Sequence, residues 1–265
     1  MADGLTRIDW CAPWLAPWRS RGEPLARQVL GGMALPDALN AIPGSAPSNA
    51  HAASQTPLPC PVHFVAQSAL PTGHAYERHI FQTGTCPTRE GLHDFFNGLC
   101  WHLLPQAKRR MNQLQAADIA ERGVHAGRGA VRDALTLLDE SGAFLDAPAP
   151  LWQALQAHDW QALFITHRAL WQQAQFFIMG HALLEKLVSP IKGATAHVWC
   201  APADTSTPAA LDAWLLAELT PDKLARKPFT PLPVLGVPGW WAANEAAQFY
   251  SDAKVFRPPR QSGTG

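Results

Sequence analysis

The longest run of helical hydrophobic periodicity extends from residue 165 to residue 190, ITHRALWQQAQFFIMGHALLEKLVSP. At about 100° per residue, its apolar side chains fall within an arc of about 120°, which is typical of an amphipathic helix. These side chains are Leu170, Ala174, Phe177, Ile178, Leu184 and Val188. We therefore predict one long helix here, with its apolar face on the core.

His181 and Glu185 fall within the same arc, four residues apart, and His167 lies on nearly the same face. A helix normally keeps such side chains on its solvent side, because burial of an unpaired charge costs several kcal/mol. The pattern predicts that His181 and Glu185 point inward and that another group of the chain pairs with them.

A second helix is predicted over residues 92–103, where apolar residues form one stripe. Thr88 is its expected N-cap and Glu90 lies in its first turn. The adjoining face carries polar and aromatic side chains: His93, Asp94, Asn97 and Trp101. Pro105 marks a break, after which residues 106–119 continue as a more polar helix.

Residues 134–145, ALTLLDESGAFL, match a β-hairpin in which Gly142 supplies the positive φ of a short loop. Asp139 and Glu140 are then turn residues. The alternative is a helix over residues 130–138 with Gly142 as its C-cap. Residues 194–200 alternate in the manner of a strand, and residues 61–67 and 76–82 have extended character.

The remaining chain contains shorter elements and proline-rich segments. Helices are predicted within residues 19–40, 150–163, 211–219 and 244–250, whereas the prolines of residues 231–241 favour extended chain. Trp10, Trp14 and Trp18 lie on a proline-interrupted N-terminal arm that is expected to pack on the body.

The predicted fold is one α+β domain over residues 1–260, mainly helical, with proline-rich extended segments at both ends. A small sheet contains residues 134–145, 194–200 and 76–82. Residues 42–61 are expected to be an irregular Pro/Ala/Ser-rich loop, and residues 257–265 a flexible tail.

Composition narrows the class of protein. The 265 residues are 47% hydrophobic and 16% charged, which is enough for a sizeable globular core. The 21 basic and 21 acidic side chains cancel, and no basic stripe is present. We therefore expect neither a nucleic acid nor a membrane surface as partner, which leaves a small molecule or another protein.

The five cysteines are an odd number without C-x-x-C spacing, which argues against a disulfide framework or a thiolate zinc site. The N-terminus lacks a basic region followed by an apolar one, and the apolar residues 174–184 are too few to span a bilayer. We expect a cytoplasmic protein.

The sequence contains no P-loop, G-x-G-x-x-G, G-x-S-x-G or H-E-x-x-H motif. The leading candidate is the His181–Glu185 pair, which could supply two metal ligands or a base with its orienting carboxylate. The alternative is a structural pair, in which Arg132 answers the charge of Glu185. His197, on the predicted strand, could face the same pocket.

His93-Asp94 is the second candidate. A His-Asp dipeptide on a helix resembles that of the metal-dependent phosphohydrolases named for it, which also use an upstream His and a downstream Asp on separate helices. Here the nearest upstream histidine, His79, falls in a predicted strand. The alternative is that His93 and Asn97 bond to a neighbouring loop.

Four blocks of the chain together resemble a bacterial family catalogued as domain of unknown function 3025: PTREGLHDFFNGLCWHLLPQAK, RDALTLLDESGAFL, GHALLEKL and PLPVLGVPGWW. The resemblance extends over about residues 63–260. It implies a single domain in a bacterial cytoplasmic protein, and it brings no established activity, cofactor or catalytic residue.

Two functions follow from these candidates. The first is a metal-assisted hydrolase with a divalent ion, in which His93, Asp94, His181, Glu185 and His197 converge as ligands and Arg132 assists. The second is a non-catalytic binding or structural module with a buried His–Glu–Arg network. The hydrolase requires His93 or Asp94 within ligand reach of the His181–Glu185 pair, beside an open cavity.

Overall fold

Helices packed around two small β-sheets make up the chain, as a computed structural model describes for residues 1–43, 59–123 and 129–257. The fold is mainly helical α+β, as the sequence pattern predicts. The helices are α1 Ala2–Thr6, α2 Arg19–Leu30, α3 Leu35–Asn40, α4 Tyr76–Thr83, α5 Leu92–Leu103, α6 Pro105–Arg122, α7 Ala130–Ser141, α8 Ala149–Gln156, α9 His181–Lys186, α10 Pro208–Glu218 and α11 Pro221–Ala225. The strands are β1 His63–Ala66, β2 Thr85–Thr88, β3 Gly142–Asp146, β4 Gln175–Ile178, β5 Thr195–Cys200 and β6 Thr230–Pro233.

The larger sheet has the strand order β4-β3-β5-β6, and β1 pairs with β2 in a separate parallel pair. Strand β3 is antiparallel to β4 and parallel to β5, so that Phe144 lies opposite Phe177 on one side and Trp199 on the other. Residues 142–145 are all buried. A central strand covered on both faces is expected to be apolar throughout, as this one is.

This sheet separates two hydrophobic clusters. Ala143 and Leu145 of β3 belong to the larger cluster, which also contains side chains of the N-terminal arm, α2, α3, α5 and α8. Phe144, between them, belongs to the smaller cluster with side chains of α6, α7, α10 and α11. Successive residues of a strand point to opposite faces, so one strand contributes to both clusters.

The N-terminal arm packs on the body through its tryptophans. Trp14 and Trp18 are buried, and the indole N–H of Trp18 donates to the Ile178 carbonyl at 3.2 Å. Trp14 contacts the ring of Trp240, with the ring centroids 5.8 Å apart. Pro13 opens a single turn of 3₁₀-helix, where its fixed φ is tolerated.

The predicted long helix over residues 165–190 is wrong. The chain there forms a π-helical turn Ala162–Thr166, a 3₁₀-helix Arg168–Gln173, strand β4 and the short helix α9. Phe176, Phe177 and Ile178 pair with β3, which requires extended backbone. A short apolar run fits both a helix and a buried strand, and the pairing with β3 decides between them.

The predicted hairpin over residues 134–145 is also wrong, and the helical alternative describes this segment better. Helix α7 continues to Ser141 and β3 begins at Gly142, which has an ordinary φ of −69°. The carboxylate of Asp139 binds Lys108 and does not turn its own backbone. Residues 76–82 form helix α4 and not a strand, with Gly84 at φ 67° as its C-cap.

Other boundaries differ by less. Helices α5, α6 and α10 and strands β1 and β5 lie where the pattern predicts them. Thr88 ends β2, and Gly91 takes the N-cap position of α5 that was expected for Thr88. The predicted helix over residues 150–163 stops at Gln156, and residues 244–250 form 3₁₀ turns.

Most of the expected loop over residues 42–61 and of the expected tail over residues 257–265 lies outside the described residues. Within the described ranges, no helix has the length and apolar character needed to cross a bilayer.

Candidate functional site

A cavity of about 320 Å³ lies between helices α4, α5, α6 and α7 and the first residue of α9. Most of its wall is polar. The ionisable side chains that line it are Glu77, Arg89, His93, Asp94, Lys108, Asp139, Glu140 and His181, together with Tyr76. Five helices therefore bring titratable groups to one opening.

Two histidines face each other in this cavity. The Nε2 atoms of His93 on α5 and His181 on α9 are 2.9 Å apart, and the ring planes are nearly perpendicular. The carboxylate of Glu140 on α7 joins them, because one ligand atom from each of the three residues lies within 4.8 Å of the others. His181 is buried, whereas Glu140 is exposed to solvent.

A carboxylate faces the second ring nitrogen of each histidine. Glu185 Oε2 lies 3.1 Å from His93 Nδ1, and Asp139 Oδ1 lies 3.8 Å from His181 Nδ1. Histidines that bind a metal through Nε2 commonly donate Nδ1–H to a carboxylate, which fixes the ring and its tautomer. His93 has this arrangement. Asp139 lies within ion-pair distance of His181, but 3.8 Å is too long for a hydrogen bond, and His181 Nδ1 has no hydrogen-bond partner among the described residues. The Nε2 atoms of the two rings are directed at each other.

The close approach of the two Nε2 atoms limits where the ring protons can lie. If both Nδ1 atoms carry protons for the facing carboxylates, each neutral ring presents a lone pair at Nε2. Two lone pairs 2.9 Å apart repel. A neutral pair avoids this repulsion when one ring carries its proton at Nε2 and donates it to the other ring, and a metal ion bound by both rings can take the place of that hydrogen bond.

The close approach of two backbones places His181 beside Asp139 and Glu140. The N–H groups of Met179 and Gly180 both donate to the Gly142 carbonyl, at 3.0 and 2.8 Å. A Cβ atom on Gly180 would overlap the backbone of Ser141. Glycine is therefore required at position 180 for the start of α9 to lie against the end of α7.

Lys108 holds Asp139 in place. Its Nζ atom forms an ion pair with Asp139 Oδ1 and donates to Asn97 Oδ1 at 2.9 Å, and the side chain is 4% exposed. Burial alone would raise the pKa of Asp139, but Lys108 and then His181 lower it by more. The pKa of Asp139 consequently lies well below its usual range, and its carboxylate is ionised beside His181.

The same network continues away from the histidines. Asn97 Nδ2 is 3.4 Å from the Tyr76 hydroxyl, which lies 3.1 Å from Cys86 Sγ. Burial raises the pKa of Tyr76 well above its ordinary value and that of Cys86 to about 11. Both groups are neutral at physiological pH, so Cys86 is not an activated thiolate.

Asp94 lines the cavity but is fully engaged by Arg89. It accepts hydrogen bonds from the Arg89 backbone N–H at 2.6 Å, from Nε at 3.2 Å and from Nη2 at 3.1 Å. These contacts raise the pKa of Arg89. The structure therefore brings Asp94 near the histidines with both of its carboxylate oxygens already bonded, which leaves it poorly placed as a ligand.

Two further predicted site residues lie outside the cavity wall. His197 Nδ1 is 2.9 Å from the Ser141 hydroxyl, whose proton goes to the Leu137 carbonyl at 3.1 Å, so the imidazole is the donor to Ser141. Burial lowers the pKa of His197. Arg132 is buried on α7, and in the described part of the chain Glu185 pairs with His93 instead.

The structure thus brings together His93, His181 and Glu185, which is the placement that the metal hypothesis requires; their roles remain predictions. Glu185 is 39% exposed at its side chain and is not a core group. Asp139 and Glu140 were not predicted as site residues, because the hairpin interpretation made them turn residues. The helical alternative for this segment was the available signal.

The comparisons with known proteins identify only the family of the chain. A family model described as "Protein of unknown function (DUF3025)" matches residues 62–260. The comparisons with curated proteins and with solved structures returned no significant match. Every residue of the His93, Asp139, Glu140, His181 and Glu185 group falls within the matched region.

Proposed function

The chain belongs to the family described as "Protein of unknown function (DUF3025)", and we propose that it is a metal-dependent hydrolase whose ion is bound by His93, His181 and Glu140. The observation that carries the proposal is the convergence of the two Nε2 atoms, with Glu185 3.1 Å from the other nitrogen of His93 and Asp139 3.8 Å from that of His181.

The donor set fits a divalent transition metal, with zinc as the first choice. Two imidazoles and one carboxylate are a common ligand set of catalytic zinc. Nitrogen atoms about 2.0–2.1 Å from a tetrahedral ion lie roughly 3.3 Å apart, so the 2.9 Å pair would need to open only slightly. With His93, His181 and Glu140 as its protein ligands, such an ion would keep one coordination position available for water.

The residues around the ion have separate tasks in this proposal. Glu185 orients His93 through a 3.1 Å hydrogen bond. Asp139, held in position by Lys108, faces His181 Nδ1 at 3.8 Å. A zinc ion held by these residues would lower the pKa of a bound water to about 7 and would polarise a substrate carbonyl group. The polar cavity lined by His93, Glu140 and His181 would give a substrate access to the ion.

Two alternatives compete with this proposal. Two histidines and one carboxylate also bind iron(II) in oxygenases, so the donor set alone does not choose between zinc and iron. The second alternative is the non-catalytic network, now formed by His93, His181, Glu185, Asp139 and Lys108 without Arg132. The ion pair between the buried Lys108 and Asp139 favours this network, because such a pair also occurs where it has only a structural role.

We also propose, from composition and the family resemblance, that residues 1–260 form one domain that acts in a bacterial cytoplasm on a small molecule. The burial of Trp14 and Trp18 in the same hydrophobic cluster as α5 supports the single domain. The cysteine usage supports a reducing compartment.

Elemental analysis of the purified full chain, followed by calorimetric titration of the metal-free protein with zinc and with iron(II), tests the proposal. We expect one equivalent of zinc to bind, and expect His93→Ala, His181→Ala and Glu140→Gln each to weaken binding strongly. His74→Ala is the matched control, because His74 is exposed and lies away from the cluster.

Each outcome selects one function. Tight zinc binding that depends on the three residues supports the hydrolase, and preferential iron(II) binding replaces it with an oxygenase. A protein that binds neither ion, or binds zinc equally well in all three variants, leaves the structural network as the function of these side chains.

A further inference from the structure

The cavity extends beyond the two histidines to a wall formed by α4 and α6. Glu77 of α4 and Asn112 and Gln115 of α6 line this part, together with the apolar side chains of Ile80 and Met111. Asn112 and Gln115 are three residues apart on one face of their helix. None of these residues takes part in the proposed metal site.

The two amide side chains have unused hydrogen-bonding capacity. Gln115 is 7% exposed and forms no hydrogen bond with another described residue. Asn112 Nδ2 donates to the Glu77 carbonyl at 2.7 Å, and its Oδ1 atom has no partner in the described ranges. Buried amides are normally bonded, so an unpartnered amide on a cavity wall indicates a position for a polar ligand group.

The charged side chains of the cavity wall indicate the charge of the ligand group that it would bind. Arg89 is neutralised by Asp94, and Lys108 by Asp139. Glu77, in contrast, forms no ion pair within the described part of the chain. Once Glu140 binds the metal, Glu77 is the one charge on the described cavity wall that lacks a partner, and it attracts cations.

We propose that Glu77, Asn112 and Gln115 bind a protonated amine of the substrate, while a hydrolysable carbonyl bond of the same molecule lies at the metal. The carboxylate of Glu77 and the side-chain oxygens of Asn112 and Gln115 are acceptors for the three N–H groups of a primary ammonium. Ile80 and Met111 pack against the methylene chain between the two groups. This inference rests on the proposed metal site and names its substrate class.

A substrate with a phosphate or carboxylate group fits the cavity less well. Both cations of the described cavity wall are occupied by carboxylates, and an anion would approach the unpaired Glu77. The wall therefore favours an amino amide or amino ester over a phosphoester or an acidic amide.

Hydroxamates test the inference on the zinc-loaded full chain, because the hydroxamate group binds the metal and its tail reports on the far wall. We would compare acetohydroxamate with two series of increasing chain length, one ending in a primary amine and one in a carboxylate. At the best chain length, we expect the amine to bind at least about tenfold more tightly than its carboxylate counterpart.

Variants of the cavity wall test which residues cause the preference for the amine over the carboxylate series. Glu77→Gln and Gln115→Leu should each reduce the ratio of amine to carboxylate affinity severalfold while leaving the affinities for zinc and acetohydroxamate unchanged. Glu121→Gln is the matched control, because Glu121 is an exposed carboxylate on α6 outside the cavity. A ratio that falls only in the two cavity variants supports the inference.

The failures are distinguishable. If zinc and acetohydroxamate bind but the amine series shows no preference at any length, or the carboxylate series binds better, the amine site is wrong and the metal site stands. If zinc does not bind, or zinc-loaded protein does not bind acetohydroxamate, the proposed function and this inference both fall.

Discussion

His93 and His181 meet through their Nε2 atoms at 2.9 Å, with Glu185 and Asp139 facing the opposite nitrogens of the two rings. Either an Nε2–H···Nε2 hydrogen bond or a metal ion satisfies this arrangement. The two possibilities differ in the effect of each carboxylate and in the response of stability to substitution.

Glu185→Gln should lower zinc affinity about tenfold to hundredfold, because it weakens the acceptor that orients His93. The free energy of unfolding without metal should change by less than about 1 kcal/mol, since the side chains of His93 and Glu185 are 36% and 39% exposed. Titration with zinc and denaturant unfolding separate the two effects. Breaking a buried ion pair costs about 3–5 kcal/mol. A loss of that size would mean that Glu185 is a core group.

Gly180→Ala should destabilise the protein by about 1–3 kcal/mol, because the added methyl group overlaps the Ser141 backbone. It should also weaken zinc binding, since α9 must move away from α7. Gly193→Ala is the matched control, because a methyl group there makes only an ordinary contact with Val255. Equal stability and zinc affinity for both variants would show that the backbone approach at Gly180 is adjustable.

Lys108→Met should cost about 3–5 kcal/mol of unfolding free energy, because it leaves the carboxylate of Asp139 without its buried partner. The double variant Lys108→Met, Asp139→Leu should recover part of this loss. Lys223→Met, which breaks the more exposed pair with Glu218, should cost less than about 1 kcal/mol. Denaturant unfolding of the four proteins measures the difference, and a small loss for Lys108→Met would contradict the buried pair.

His102 should make stability fall as the pH is lowered from about 6.5 to about 4. Burial, and then the charge of Arg21, lower its pKa in the folded protein from 6.5 to about 4. In this window the unfolded chain binds more protons than the folded one, so stability rises with pH. The contribution is about 3 kcal/mol over the whole window.

His102→Phe should remove this contribution to the pH dependence of the unfolding free energy, whatever its effect on stability at one pH. The ring of His102 stacks on that of Phe64, which a phenylalanine can also do. An unchanged slope between pH 6.5 and 4 would show that His102 is charged in the folded protein.

The sequence is sufficient for elements whose hydrophobic pattern fits a single periodicity. Helix α5 and strand β5 have unambiguous patterns, and both lie where they are predicted. Residues 175–178 failed because their short apolar run satisfies both periods, and only pairing with β3 makes them a strand. Asp139 shows the same limit, because its partner Lys108 is 31 residues away in the chain.

The candidate site was predictable as a set of residue types but not as a geometry. His181 and Glu185 were recognised from their positions four residues apart, and that spacing does place them on one helix, α9. Their partner His93 was recognised separately, and its contact with both residues is tertiary. Glu140 is not predicted, because its position beside the histidines depends on α7 ending beside Gly180, which no local pattern encodes.

The histidines and carboxylates of the cluster come from α5, α7 and α9, and His93 is separated from His181 by 88 residues. An ion held by all three helices acts as a cross-link that the unfolded chain cannot form. At a free zinc concentration a hundred times its dissociation constant, such binding adds about 2.7 kcal/mol to stability. If the proposed ion binds, a chelator would lower the melting temperature, and the lifetime of the protein in a cell would follow the supply of that ion.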